Sequence, residues 1–178
     1  MIAYDLIGQT PLVLLESFSD ENVKIYAKLE QFNPGGSIKD RLGKYLIEKA
    51  IDEGRLKEGD TIVEATAGNT GIGLAIASNR HKVKCIIFAP EGFAEEKISI
   101  MKALGADVRR TPKAEGMTGA QQEALAYATR YGYLYMNQFE TKDNPGAYTQ
   151  TLAKQLTDEL SHIDYFVAGV GSGGTFTG

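Results

Sequence analysis

The chain has 178 residues, enough for one ordinary domain or two small ones, and carries a net charge of −4. Hydrophobic residues make up 43% and charged residues 24%, as is normal for a soluble globular protein. The absence of a basic run argues against a nucleic-acid partner, and no apolar stretch approaches the ~20 residues that a membrane span needs. One cysteine excludes an internal disulfide and, with no recognisable signal peptide, leads us to expect a cytoplasmic protein.

Strand-like and helix-like patterns alternate along the chain. The predicted strands are residues 22–30, 60–65, 83–90, 106–111 and 163–170. The predicted helices are residues 37–53, 70–81, 94–104, 118–131 and 145–160. In the first strand, Val23, Ile25, Ala27 and Leu29 should share the buried face. The alternation predicts an α/β fold, most simply a parallel sheet covered on both faces.

The end of the chain has an unusual pattern. The predicted strand 163–170 runs into the glycine-rich segment GSGGTFTG, and no predicted helix follows. Because such a loop normally leads into a helix, we expect the chain to be a C-terminally incomplete part of a longer protein.

The segment NPGGSIKDRL, residues 33–42, holds a lysine at the predicted start of a helix. Ser37 is a good N-cap and Asp40 follows as in a capping box, so Lys39 should lie in the first turn. Its amine should then reach into the space before the helix. The positive potential of the helix end should lower its pKa, which favours a nucleophilic amine that forms Schiff bases. A solvated surface lysine is the alternative.

The segment TAGNTG, residues 66–71, lies between a predicted strand and a predicted helix. Small residues let a ligand approach the backbone closely, and the N–H groups at a helix start bind anions. In open α/β sheets ligands bind at the carboxyl ends of the strands, where this segment lies. Asn69 adds a side-chain amide that could contact a ligand. The alternative is a tight turn with a helix cap.

The segment GVGSGGT, residues 169–175, has the glycines and hydroxyls that suit a phosphate. Gly169, Gly171 and Gly174 also match the spacing of the dinucleotide fingerprint. The acidic residue expected about 20 positions later would fall beyond this chain, and the motif does not open a βαβ unit. A phosphate is therefore favoured over NAD.

Other candidate residues carry weaker signals. Cys85 lies within an apolar strand and is interpreted as a small core residue. His81 and His162 lack the spacing of a metal site, so no metal is expected. Gln138 ends a short apolar strand, where it could contact a ligand or cap the strand.

Six segments together resemble one enzyme family. IGQTPL, NPGGSIKDR, TAGNTGIGLA, NQF, NPGAY and GVGSGGTFTG occur in the order and spacing of the cysteine synthase and cystathionine β-synthase family. The resemblance implies pyridoxal 5'-phosphate as cofactor and the type II fold of two three-layer α/β domains with mostly parallel sheets. It implies that residues 34–145 form the smaller, mobile domain, and that residues 10–33 and 146–178 belong to the larger, cofactor-binding domain.

The resemblance also implies roles for single residues. Lys39 matches the lysine that binds the cofactor covalently and is the catalytic base, and Asn69 matches the asparagine that hydrogen-bonds the cofactor's 3′ oxygen. The residues that match the phosphate-binding positions are Gly171, Ser172, Gly173, Gly174 and Thr175. The residues that match the substrate-carboxylate positions are Thr66, Ala67, Gly68, Asn69, Thr70 and Gln138.

The implied reaction is β-replacement on O-acetyl-L-serine, in which acetate leaves and a thiol adds to the β-carbon. Many sulfide-using members have Ser where this chain has Ala67, and TAGNTG is more similar to bacterial O-acetylserine-dependent cystathionine β-synthases. We therefore expect homocysteine as the nucleophile, with sulfide, as in cysteine synthase, as the alternative. Family members are usually homodimers.

Two further interpretations remain open. Amino-acid dehydratases of the same fold share a lysine motif but use no thiol, and the fuller NPGGSIKDR with AGNTG favours β-replacement. A non-catalytic fragment that only binds the cofactor is the other, although the intact Lys39 and Asn69 argue against loss of chemistry by substitution.

Overall fold

The computed structural model describes all residues, 1–178, and shows an α/β architecture. The strands are β1 Leu12–Leu14, β2 Tyr26–Lys28, β3 Thr61–Ala65, β4 Lys84–Pro90, β5 Asp107–Thr111 and β6 Leu134–Tyr135. The helices are α1 Lys39–Asp52, α2 Asn69–Arg80, α3 Glu95–Ala103, α4 Gly116–Tyr131, α5 Asp143–Tyr148, α6 Lys154–Glu159 and α7 Gly174–Thr177. A π turn, Thr149–Ala153, joins α5 to α6 and interrupts the helix predicted over 145–160.

The main sheet has four parallel strands in the order β5-β4-β3-β6. Alternate residues of β3 pack on opposite faces: Ile62 contacts the core under α1 and α2, and Val63 contacts the alanine face of α4. Because both faces are covered, all five residues of β3 are buried. The predicted α/β fold with a parallel sheet covered on both faces is confirmed.

The first predicted strand, 22–30, is only partly correct. Three residues, Tyr26–Lys28, pair antiparallel with β1 in a separate two-stranded sheet. Val23 and Ile25, expected on the buried face, are 53% and 40% exposed. A two-stranded ribbon has no second layer over this end, so alternation alone does not bury it.

The predicted strand 163–170 is wrong. These residues form no strand, and Tyr165 and Val167 are 89% and 90% exposed. The segment pairs with no other strand, so its backbone joins no hydrogen-bond ladder. The glycine-rich loop does lead into a helical turn, α7, contrary to the expectation that no helix follows.

No helix in the structure is both long enough and apolar enough to span a bilayer.

Candidate active site

The Lys39 amine is the centre of the candidate site. Lys39 lies in the first turn of α1, as predicted, but the N-cap is Ile38 and not Ser37. The Ser37 hydroxyl accepts a hydrogen bond from the Lys39 backbone N–H at 3.1 Å. The Lys39 Nζ donates to the Tyr148 hydroxyl and to the Ser172 hydroxyl, at 3.2 Å each. The amine therefore contacts two neutral groups and no carboxylate.

Two details of the lysine environment differ from the sequence prediction. The Asp40 carboxylate does not complete a capping box with Ser37 but accepts a hydrogen bond from the Gly35 N–H. The pKa of Lys39 is lowered as predicted, and its cause is burial, which removes water from the ammonium, where the sequence suggested the helix-end potential. A buried amine without an anionic partner favours its neutral, nucleophilic form.

Two glycines bring the backbone of Lys39 against helix α2. A Cβ atom on Gly73 would overlap the Lys39 carbonyl, and a Cβ atom on Gly43 would overlap the Gly73 backbone. Since Lys39 and Gly43, like Asn69 and Gly73, are four residues apart, the crossing places the first turns of α1 and α2 side by side. The lysine motif and the TAGNTG segment therefore belong to one site.

The TAGNTG segment forms the turn at the carboxyl end of β3. Gly68 precedes the first residue of α2, and the Thr66 hydroxyl accepts a hydrogen bond from its N–H at 3.2 Å. Thr66, Ala67 and Thr70 are buried, whereas Gly68 and Asn69 are half-buried and open to the site. Exposed N–H groups at such a turn form an anion-binding surface.

Gln138 joins this turn from the end of β6. Its side-chain oxygen accepts a hydrogen bond from the Thr70 hydroxyl at 2.7 Å, and its backbone N–H donates to Glu64 Oε2 at 3.1 Å. Glu64 Oε1 accepts from the Ala65 N–H at 2.8 Å. Burial raises the pKa of the Glu64 carboxyl to about 7. Gln138 therefore does not merely cap its strand but is held against the turn.

The loop 169–173 contributes Ser172 and leads into α7. Gly173 has a φ of +83°, a conformation that favours glycine. A Cβ atom on Gly171 or Gly173 would meet no atom within 4 Å, so these glycines leave the loop backbone open. Gly174 is different, because a Cβ there would overlap the Asn144 side chain. Thr175 is half-buried in the first turn of α7.

Sequence reasoning missed three residues of the site. Tyr148 is 1% exposed and contacts Lys39, Asn144 is 2% exposed and contacts Ser172, and Glu64 is fully buried beneath Gln138. Asn144 and Tyr148 both belong to the quoted motif NPGAY. Their spacing of four residues on one helix face was the signal that could have found them.

The side chains of Cys85, His81 and His162 make no hydrogen bond to the candidate site. Cys85 is buried in β4, where burial raises the pKa of its thiol to about 12, as expected of a core residue and not of a nucleophile. His81 contacts the Tyr4 hydroxyl and His162 contacts Asp164 at the surface. No group of three or more His, Cys, Asp or Glu side chains is placed to hold a metal ion.

Comparison with known proteins defines the class of this chain. A family model described as "Pyridoxal-phosphate dependent enzyme" matches residues 3–178. The chain belongs to this family, and the resemblance drawn from its motifs is confirmed.

Individual relatives are identical to this chain at about half of the aligned positions. The chain is 50% identical to the O-acetylserine dependent cystathionine β-synthase of Bacillus subtilis and 48% identical to a cysteine synthase of Helicobacter pylori, in each case over 98% of this chain and 58% of the relative. The crystal structure of the O-acetylserine dependent cystathionine β-synthase from Helicobacter pylori matches with a TM-score of 0.92 at 46% identity, covering 99% of this chain and 60% of that chain. The chain thus spans somewhat more than half the length of these relatives.

The residues of the site fit pyridoxal phosphate, the cofactor of the family. Its aldehyde requires an amine with a lowered pKa, which Lys39 supplies. Its phosphate suits a glycine-rich loop with free backbone and hydroxyls, as at Gly171, Ser172 and Gly173. The Ser172 hydroxyl lies 3.2 Å from the Lys39 amine, so both functions fall within one site.

Proposed function

We propose that the protein catalyses β-replacement on O-acetyl-L-serine, with Lys39 as the covalent anchor of pyridoxal phosphate and as the catalytic base. The observation that carries the proposal is the buried Lys39 amine, 3.2 Å from the hydroxyls of Tyr148 and Ser172, with its pKa lowered. When bound, pyridoxal phosphate supplies an electron sink for the charge that develops at Cα.

Each segment of the site has a task in this proposal. The phosphate is held by Gly171, Ser172, Gly173, Gly174 and Thr175, and the cofactor's 3′ oxygen by Asn69. The substrate carboxylate is held by Thr66, Ala67, Gly68, Asn69, Thr70 and Gln138. Support comes from the open N–H surface of the turn and from the Thr70–Gln138 hydrogen bond, which pre-orients the amide of Gln138.

Lys39 moves the protons of the reaction. Its neutral amine removes the Cα proton of the amino acid, the C–O bond at the β-carbon breaks, and acetate leaves with the bonding electrons. A thiol sulfur then forms the new bond to the β-carbon, its own proton passes to solvent, and Lys39 returns a proton to Cα. The contact with two neutral hydroxyls supports this cycle, because they accept from the ammonium without fixing its charge.

For the thiol we propose homocysteine, which gives cystathionine, with sulfide as the second candidate. Ala67 is 7% exposed and offers no hydroxyl beside the turn. The printed names of the relatives support both: one is an O-acetylserine dependent cystathionine β-synthase and another a cysteine synthase. Competition between homocysteine and sulfide for one preparation loaded with O-acetylserine distinguishes them, since the preferred thiol suppresses the product of the other.

Two proposals concern the whole protein. Residues 34–145 are proposed to move as a smaller domain against residues 10–33 and 146–178, which would close the turn over the substrate and exclude water. A homodimer is proposed as the assembly. Support for the first is that the four-stranded sheet lies entirely within 34–145.

The test of the proposed function uses the protein as its gene encodes it. Borohydride reduction of the wild type with pyridoxal phosphate, followed by peptide mass mapping, should place the cofactor on Lys39. Lys39→Ala should abolish both this adduct and acetate release from O-acetylserine, whereas Lys44→Ala on the same helix should preserve both. Near-normal turnover by Lys39→Ala would overturn the assignment.

A further inference from the structure

The buried side chain of Asn144 joins the two halves of the candidate site. Its Nδ2 donates to the backbone carbonyl of Gln138 at 2.7 Å and to the hydroxyl of Ser172 at 3.0 Å. Gln138 belongs to the proposed carboxylate side and Ser172 to the proposed phosphate side. One NH₂ group thus spans two segments that are 34 residues apart in the sequence.

The chemistry of this bridge requires an asparagine. An –NH₂ group has two N–H donors, one for each partner, whereas Ser or Thr has a single O–H and an ionised Asp has none. The orientation of the amide is fixed, because the Gln138 carbonyl can only accept. The Asn144 oxygen is buried without a hydrogen-bond partner and lies against Gly174.

The side chain of Asn144 does not cap the N-terminus of helix α5. The Thr141 hydroxyl accepts from the Asp143 N–H at 3.3 Å and so serves the first turn of that helix. The Asn144 side chain points instead into the site, where it is 2% exposed. A buried polar side chain is stable only if its donors are satisfied, and both donors of Asn144 are satisfied by residues of the site.

Each partner of Asn144 has a further contact that defines the site. Ser172 accepts from the Lys39 amine at 3.2 Å, and the side chain of Gln138 accepts from Thr70 at 2.7 Å. A run of hydrogen bonds therefore links Lys39 through Ser172, Asn144 and Gln138 to Thr70. At Gln138 the run passes from the backbone carbonyl, which accepts from Asn144, to the side-chain oxygen, which accepts from Thr70. A change at Asn144 acts on both ends of this run.

We propose that Asn144 is a positioning residue that couples the cofactor-phosphate loop to the substrate-carboxylate turn. The inference rests on the proposed function and deepens it. Asn144 holds no proton that the reaction moves; it fixes Ser172 and Gln138 relative to each other through its two hydrogen bonds. Removing the bridge should weaken binding at both ends, since each partner loses a defined position.

The test is a double-mutant cycle in the protein as its gene encodes it. The pyridoxal phosphate dissociation constant, measured by absorbance titration without substrate, and the KM for O-acetylserine should each rise about tenfold in Asn144→Ala, as expected for one lost buried hydrogen bond. Ser172→Ala should raise the dissociation constant with little change in KM. In the double variant the dissociation constant should be no higher than in Ser172→Ala alone, because Asn144 acts on the cofactor through Ser172.

The control separates positioning from stability. Asn33→Ala removes an amide of matched burial, 3% exposed, which bonds Glu30 and Gly8. This variant should lower the melting temperature, and its effect on the dissociation constant, if any, should add fully to that of Ser172→Ala. If Asn144→Ala does not fold, Asn144→Ser is paired with Ser172→Ala instead, because a hydroxyl has a single O–H donor and cannot bond both Ser172 and the Gln138 carbonyl.

The outcomes distinguish the two proposals. A wild type that neither carries pyridoxal phosphate on Lys39 nor consumes O-acetylserine overturns the proposed function. A wild type that does both, together with an unchanged dissociation constant in Asn144→Ala or full additivity with Ser172→Ala, overturns the role of Asn144 alone.

Discussion

Two parts of the molecule have the same order in sequence but different structures. The first unit, residues 61–80, consists of an apolar run, a turn of small residues and helix α2. The second unit, residues 163–177, consists of an apolar run, a glycine-rich loop and helix α7. The apolar run of the first unit is a fully buried strand, and that of the second unit is exposed and unpaired.

Neighbouring strands account for the difference. In the first unit β3 lies between β4 and β6 and exchanges backbone hydrogen bonds on both sides. In the second unit residues 163–170 pair with no strand. An apolar run thus indicates which segments can form a strand, whereas the ladder of a neighbour decides which of them do.

The largest expected effect comes from the glycines of the two units. Gly73→Ala should lower the free energy of unfolding by about 3 kcal/mol, because the new Cβ overlaps the Lys39 carbonyl and forces two backbones apart. Gly171→Ala in the second unit, where a Cβ meets no atom, should change it by less than about 0.5 kcal/mol. Denaturant unfolding without cofactor measures both free energies. An unchanged free energy of unfolding in Gly73→Ala would show that α1 and α2 are not in backbone contact.

The next effect compares two valines. Val63→Ala in β3, where the side chain is fully buried, should cost about 2 kcal/mol of unfolding free energy through lost packing. Val167→Ala, at 90% exposure, should cost less than about 0.5 kcal/mol in this 178-residue chain. Thermal unfolding of the paired variants is the measurement. Equal losses would contradict the contrast between the units, because Val167 would then be packed in solution.

The last effect is a pH dependence confined to the first unit. Burial raises the pKa of Glu64 from 4.5 to about 7, so the folded chain holds a proton that the unfolded chain has already lost. Stability should therefore fall as pH rises from 4.5 to 7.

Glu64→Gln cannot titrate, so the wild-type stability should decline relative to this variant over that pH range. Unfolding curves collected at several pH values measure the difference. Asp164→Asn in the second unit is the control: its carboxylate is exposed beside His162 at the surface, and the variant should follow the wild-type curve. Parallel wild-type and Glu64→Gln profiles would mean that the pKa of Glu64 is the same in the folded and the unfolded chain.

The helices and the parallel sheet could be predicted because their patterns repeat over several turns or several strands. The helix that begins at Lys39 follows from apolar periodicity and the turn before Asn69 from its small residues, whereas the N-cap residues, Ile38 and Gly68, make no side-chain cap. The exposure of Val23, in the predicted strand 22–30, could not be predicted. Burial at that position depends on a covering layer, about which the periodicity of the sequence carries no information.

The site could be predicted where its chemistry is local and not where it is assembled from distant segments. Lys39 is unusual within its own helix, so its pattern indicated an amine with a lowered pKa, although the cause, burial, depends on the surrounding fold. Tyr148 and Asn144 lie more than 100 residues further along the chain and meet the lysine motif or its partner Ser172 only after folding. A pattern within one segment carries no information about such contacts.

The contact between Gly43 and Gly73 also has a consequence at the level of the gene. Every single-base change of a glycine codon that encodes another amino acid introduces at least a Cβ atom, and at these two positions a Cβ meets backbone of the opposite helix. No amino-acid substitution that a single base change produces at Gly43 or Gly73 therefore avoids a clash between the two helices. Random libraries of this chain should therefore retain glycine at both positions in the clones that fold, while a Cβ at position 171 should not affect folding.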